Sequence, residues 1–242
     1  MTLNEFSDSF DVLWNNIASN QAPGLNAYDK SVVLTKAEKE IIKNYFMPQS
    51  NQKQTGFDGS PKRQSDFAAL MKNVVLTVNN TATKFDARST AYNMPDDLFI
   101  TINEQITSNA SGINSIYTVL PITFDEYGKL MQKPYKYPTK NTAWKLMTSE
   151  NVAEIIGRFK GTPAYKMRYI KKPKPIILVD LNTIDSSLSI DGISTATQCE
   201  LSEHLHDEIL QRAVEIAKAA YATDANGGQQ LQNQITIGSR SE

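Results

Sequence analysis

What most limits the folds open to this chain is a change of hydrophobic period at Asn73. Up to that point apolar residues recur at helical spacing. Beyond it come six short runs rich in β-branched and aromatic residues, "NVVLTV", "DDLFITINEQIT", "SIYTVLPI", "TAWKLM", "YKMRYI" and "PIILVDL", divided by turn residues. The helical period returns only for a last segment that begins near Cys199. Strands confined to the middle of a chain with helices at both ends predict an α+β fold. The N- and C-terminal helices are expected to pack together, with a mainly antiparallel β-rich subdomain between them. The corresponding boundaries are an N-terminal helical region over 1–72, the β-rich subdomain over 73–198, a C-terminal helix over 199–222 that packs on the N-terminal helices, and a flexible tail over 223–242.

Local signals fill in this outline. Phe6, Phe10, Leu13, Trp14 and Ile17 share one face of a first helix, which "QAPGLN" ends. The capping box "TKAE" predicts that a second helix starts at Thr35, with Ile41, Ile42, Tyr45 and Phe46 on its buried face. A polar loop over 48–61 leads to a short third helix, "KRQSDFAALM". In the middle, the runs over 98–106 and 116–122 flank "TSNASG" and read as an antiparallel hairpin. A second capping box, "TFDE", predicts a short helix after Thr123, and Asp191-Gly192 reads as a tight turn. Ser202 is the expected N-cap of the last helix.

The one cysteine and both histidines gather in "CELSEHLH", which invites a metal or a catalytic reading. Helical projection opposes it. His204 and His206 fall on opposite sides of Leu205, roughly 160° apart, and the thiol has no Cys-x-x-Cys partner. The same projection collects Leu205, Ile209, Ala213, Ile216 and Ala220 into one stripe and Leu210, Val214, Ala217 and Tyr221 into another. His206 lies between them, so it reads as a core or interface histidine. A helix this apolar is either central to its own domain or shared with a neighbouring chain. Asp96 and Asp97 read as the solvated start of a strand. The chain has no Gly-x-Ser-x-Gly, no phosphate-cradling glycine loop and no dinucleotide fingerprint, so neither an enzyme nor a cofactor is expected. No run of about eighteen apolar residues and no signal peptide is present, so no membrane is expected either.

Charge is the remaining signal. Residues 129–174 hold 12 basic and 2 acidic residues, while the rest of the chain holds 13 basic and 24 acidic, within a net charge of −1. Such a chain can attract copies of itself through opposite faces, or its basic part can seek a polyanion. The stretches "KPYKYPTKNTAWK" and "RYIKKPKP" alternate cations with aromatics and prolines. They read foremost as protein contact or protected sheet edge, which makes Tyr135, Tyr137, Lys171 and Lys172 candidate interaction residues. Ile209 and Ile216 join them from the broad face of the last helix. Nucleic-acid binding by 129–174 is the alternative.

Together, "LTKAEKEIIKNYF", "MPDDLFITINEQIT", "YTVLPITFDEYGKLMQKPYKYPTKNTAWKL", "RYIKKPKPIIL" and "CELSEHLHDEILQRAVEIAKAA" resemble, in this order, structural proteins of crAss-like bacteriophages. The resemblance spans residues 1–222. In the last helix Glu200, Leu201, His206, Glu208 and Ile209 are also similar to connector-type proteins of tailed phages. It implies a non-enzymatic virion protein of the neck or tail, a ring or head-tail connector assembled in the bacterial host cytoplasm. The implied partners are further copies of itself in a twelve-fold ring, the portal, other neck and tail proteins, and translocating DNA through non-specific contact.

Overall fold

A computed structural model describes residues 1–15, 24–46, 65–110, 113–138, 141–159 and 161–222. The predicted loop over 48–61, residues 111–112 between the hairpin strands and the tail over 223–242 lie outside the described residues. The fold is α+β, and the chain divides into two compact units. One combines Met1–Leu70 with Pro173–Glu242, and the other is Met71–Lys172.

The first unit is helical. Helix α1 (Leu3–Asn15) buries Phe6, Phe10 and Trp14. It opens on a capping box of its own: the Thr2 hydroxyl accepts from the Glu5 amide at 3.3 Å, and the Glu5 carboxylate accepts from the Thr2 amide at 2.7 Å. Helix α2 (Ala27–Phe46) is capped by Asn26, whose side chain accepts from the Asp29 amide at 2.7 Å. The start expected at Thr35 is therefore corrected. Thr35 lies inside the helix, buried, and its hydroxyl accepts from the Ile176 amide at 3.0 Å.

That bond explains a second correction. "PIILVDL" forms no strand, because its backbone is satisfied in two other ways. The amides of Ile176 and Leu178 donate to the hydroxyls of Thr35 and Ser31, one turn apart on α2, and Ile177 pairs with Thr197 on the other side. A helix thus stands where a neighbouring strand would be. Thr35→Val leaves a buried amide without its acceptor and is expected to lower stability by about 1–3 kcal/mol in urea unfolding. The Asp191-Gly192 turn forms as expected, with φ of 51° and 80° and Ile190 bridged to Ile193.

The last helical segment begins as a short 3-10 turn, Glu203–Leu205, and continues as an α-helix (His206–Ala222). Ser202 stands at the cap position, but its hydroxyl makes no capping bond. This helix packs on α1 and α2, and Leu205, His206, Ile209, Leu210, Ala213, Val214 and Ala217 are all buried. The first three turns of its apolar face are covered within the chain, whereas Ile216 is half-buried and Ala220 exposed.

The second unit is a curled sheet of seven strands: β1 (Met71–Val75), β2 (Thr90–Asn93), β3 (Leu98–Ala110), β4 (Ile113–Pro121), β5 (Thr142–Ser149), β6 (Val152–Ile156) and β7 (Thr162–Lys171). Their order is β1-β7-β3-β4-β5-β6-β2, antiparallel everywhere except between β4 and β5. The predicted hairpin is β3–β4, with strands that run further into "TSNASG" than expected. Beyond β1 the chain crosses to the other edge of the sheet. Asn79 donates to Ala91 at 2.8 Å and Asn93 to Thr77 at 3.1 Å, so the far side of β2 is also bonded and the sheet curls into a barrel. Inside are Tyr92, Ile106, Tyr117, Ala153, Ile155 and Tyr165. Lys145 shares this interior, ion-paired with Glu104, which also accepts from the Tyr165 hydroxyl at 2.6 Å. Strands β2 and β6 were not expected from the sequence.

A parallel β4–β5 pair needs a crossover, and the second capping box supplies it. Thr123 and Glu126 cap each other as predicted and start α3 (Phe124–Met131), followed by a 3-10 turn at Pro134–Lys136. The α-helix His206–Ala222 is accordingly α4 among the described residues.

Candidate functional site

The crossover delivers the basic and aromatic stretch to the outside of the barrel. Tyr135, in the 3-10 turn, is 77% exposed. Tyr137 turns inward, and its ring meets Trp144 of β5 edge-on at 5.7 Å. Two guanidiniums approach the same ring: Arg88 at 4.7 Å and Arg158 at 5.3 Å from its centre. Burial above all raises the Tyr137 phenol above its ordinary range, so the ring is neutral.

Arg88 is held in place from behind. Its guanidinium bonds to both carboxylate oxygens of Asp86 at 3.3 Å, and Asp86 also accepts from the Tyr127 hydroxyl of α3 at 2.9 Å. Burial pushes the Asp86 carboxyl upward, but the bonds from Arg88 and Tyr127 outweigh it and hold the group below its ordinary range. The loop that carries Asp86 and Arg88 is fixed by Glu154 of β6. This fully buried carboxylate accepts from the Phe85 amide at 2.7 Å, the Asp86 amide at 3.2 Å and the Ser89 hydroxyl at 2.7 Å. Phe85 then stands out of the loop against Phe124 at 5.1 Å and Tyr127 at 5.4 Å, and Phe85 and Phe124 remain 58% and 45% exposed. Exposed aromatics beside guanidiniums have the composition of a protein-binding centre.

The predicted interaction residues occupy three places. Tyr135 and Tyr137 belong to this face. Lys171 ends β7 beside the start of β3 and Lys172 follows it, its amide donating to the Asp97 carbonyl at 2.7 Å. Ile209 is fully buried in the helical unit, so its place is in the core, while Ile216 is half-buried on the same helix. Arg88, Asp86 and Glu154 were missed by sequence reasoning, because they gather around Tyr137 only through the fold. The adjacent Asp96 and Asp97 have separate partners: Asn151 bonds Asp96 at 3.2 Å, and Tyr169 bonds Asp97 at 2.7 Å.

The histidine and cysteine cluster is divided by its environment. His206 is buried, with Nε2 3.1 Å from the Leu201 carbonyl and Nδ1 3.0 Å from the Met1 amine, under the Phe6 ring. His204 is exposed. The Cys199 thiol donates to Glu38 Oε1 at 3.5 Å, and Glu38 Oε2 has no hydrogen-bond partner among the described residues. Burial first, with the nearby charges of Glu200 and Asp191 against that of Lys39, pushes the Glu38 carboxyl from 4.5 up to about 8. The folded chain therefore holds a proton that the unfolded chain releases near pH 4.5. Stability is expected to fall as pH rises from about 4.5 to about 8, by up to about 1.4 kcal/mol per pH unit from this group. Glu38→Gln, compared with the unchanged chain in denaturant unfolding at pH 5 and pH 8, removes that slope and is the more stable of the two at pH 8.

Charge follows the two units. The barrel unit holds 14 basic and 8 acidic residues, net +6, and the helical unit 11 basic and 18 acidic, net −7.

Comparison with known proteins decides what kind of molecule carries these features. A family model described as "Phage tail ring protein 3/4" matches residues 1–229. The chain belongs to this family. It is also 46% identical over 248 aligned residues, covering all of both chains, to "Ring protein 4/5" of Bacteroides phage crAss001. To "Ring protein 3" of the same phage it is 31% identical over 229 residues, covering 90% of this chain and 95% of that one. This tail ring protein is thus a structural, ring-forming virion component of a crAss-like phage rather than an enzyme.

Proposed function

We propose that this tail ring protein forms a ring in the neck of the virion, between portal and tail, and joins the capsid to the tail. The ring is twelve-fold, matching the portal, and encloses the channel through which DNA passes. Its neighbours are the portal and other neck and tail proteins, and it assembles in the host cytoplasm. The observation that carries this reading is the full-length similarity to "Ring protein 4/5". Two units of opposite charge support it, because each subunit of a closed ring presents two different surfaces to its neighbours.

The DNA-binding alternative loses ground once the basic residues are placed. Lys145 is buried with Glu104, and Lys174 pairs with Glu200. DNA contact is therefore incidental to passage through the ring. Imaging of intact virions tests the proposal: density for this chain as a ring at the portal vertex is expected, and its absence from that vertex would overturn the neck assignment.

A further inference from the structure

We propose that the face around Tyr137 is one half of the contact between neighbouring copies of this chain. Its occupant is the acidic side of the helical unit of a second copy, around Glu5, Asp8, Glu203 and Asp207. This inference rests on the ring reading and names the surfaces that would carry it.

The face is built for an acidic, partly apolar partner. Arg158 makes no ion pair among the described residues, and its charge is presented on the Tyr137 ring rather than spent on a carboxylate. Lys133 and Lys136 flank the exposed Tyr135 in the same turn. Phe85 and Phe124 add an uncovered aromatic pair held by the Glu154-bound loop. This is a rigid surface, prepared before any partner arrives, and a rigid surface loses little freedom on binding.

The helical unit offers the complement. Glu5, Asp8 and Val12 follow one another at helical spacing on the outer side of α1, and Val12 is 59% exposed. Asp8 has no ion pair among the described residues. The start of α1 lies beside the start of the last helical segment, because the Met1 amine reaches both His206 at 3.0 Å and Glu203 at 3.9 Å. Glu203, with 88% of its side chain exposed, and the exposed Asp207 therefore extend the acidic surface of α1. Carboxylates around one exposed valine match guanidiniums around two exposed phenylalanines. The opposite net charges of the units, +6 and −7, act in the same direction at longer range. Pairing unlike surfaces in this way is head to tail, the arrangement that closes into a ring.

The test uses virions treated with a carbodiimide, which joins a lysine to a carboxylate only where the two are in contact. Adducts of two copies are expected, linking the peptide with Lys133 and Lys136 to peptides with Glu5, Asp8, Glu203 or Asp207. In parallel, phage carrying Arg158→Glu with Lys136→Glu are expected to incorporate the chain at least tenfold less, although the purified variant melts as the unchanged chain does. Adding Asp8→Lys and Asp207→Lys to that variant is expected to restore much of the incorporation. The proposal is overturned if those lysines link only to another protein, if this face cross-links to DNA instead, or if the reversed variant enters virions normally. In each of these cases the unchanged chain still forms a ring, so only the surface assignment falls. If the unchanged chain forms no ring, the ring reading falls with it.

Discussion

Lys145→Met is expected to cost the barrel about 3–5 kcal/mol, the largest effect of any single substitution considered for this chain. Lys145 and Glu104 are 9% and 11% exposed at the side chain and point into the interior from β5 and β3. Removing the lysine strands a carboxylate whose remaining bond comes from the Tyr165 hydroxyl at 2.6 Å. That phenol cannot neutralise it. Burial, and then the charge of Glu104 itself, drives Tyr165 far above its ordinary range and keeps it a neutral donor. Adding Glu104→Gln is expected to recover at least half of the loss, because the stranded charge then disappears. Urea unfolding of the two single variants and the double variant gives the coupling energy directly. A single-variant cost below about 1 kcal/mol would show that the pair is not isolated from water.

Glu154→Ala is expected to cost about 3 kcal/mol or more, and to act at a place far from itself in sequence. The glutamate receives two backbone amides and a hydroxyl from residues 85–89, all of which lose a charged acceptor together. Glu154→Gln keeps one acceptor oxygen and is expected to lose about half as much. The diagnostic readout is amide exchange: the Phe85 and Asp86 amides should exchange far faster in the alanine variant, with β3 and β7 unchanged. Since this loop presents Phe85 and Arg88, the variant should also enter virions poorly even where it folds. Unchanged exchange at both amides would mean that the loop is held by its aromatic contacts instead.

These two glutamates also show where sequence reading reaches its limit. The β3–β4 hairpin was legible because its partners are close in the chain and alternate between the Tyr117 and Val119 side and the exposed side. Strand β6 was not, since Glu154 interrupts "VAEII" and the reason for a buried charge lies in a loop some seventy residues earlier. The pattern Thr-x-x-Glu makes the point again. At Thr2 and Thr123 it is a capping box, whereas at Thr35 the same letters sit inside α2, with the threonine serving Ile176 and the glutamate buried beside Cys199. Local spelling is the same, and tertiary contacts decide. Of the candidate site, Tyr135 and Tyr137 could be picked out from lysines alternating with aromatics. The guanidinium of Arg88 and its support by Asp86 become visible only once β2, β6 and the crossover are adjacent.

The barrel closure carries one more consequence. Strands β3 to β7 each have a neighbour on both sides, and residues 77–79 occupy the outer side of β2. The β2 edge is therefore closed to strand addition by another copy, a mode in which every new copy would expose a fresh template for the next, and β1 alone of the seven strands keeps a side without a strand partner among the described residues.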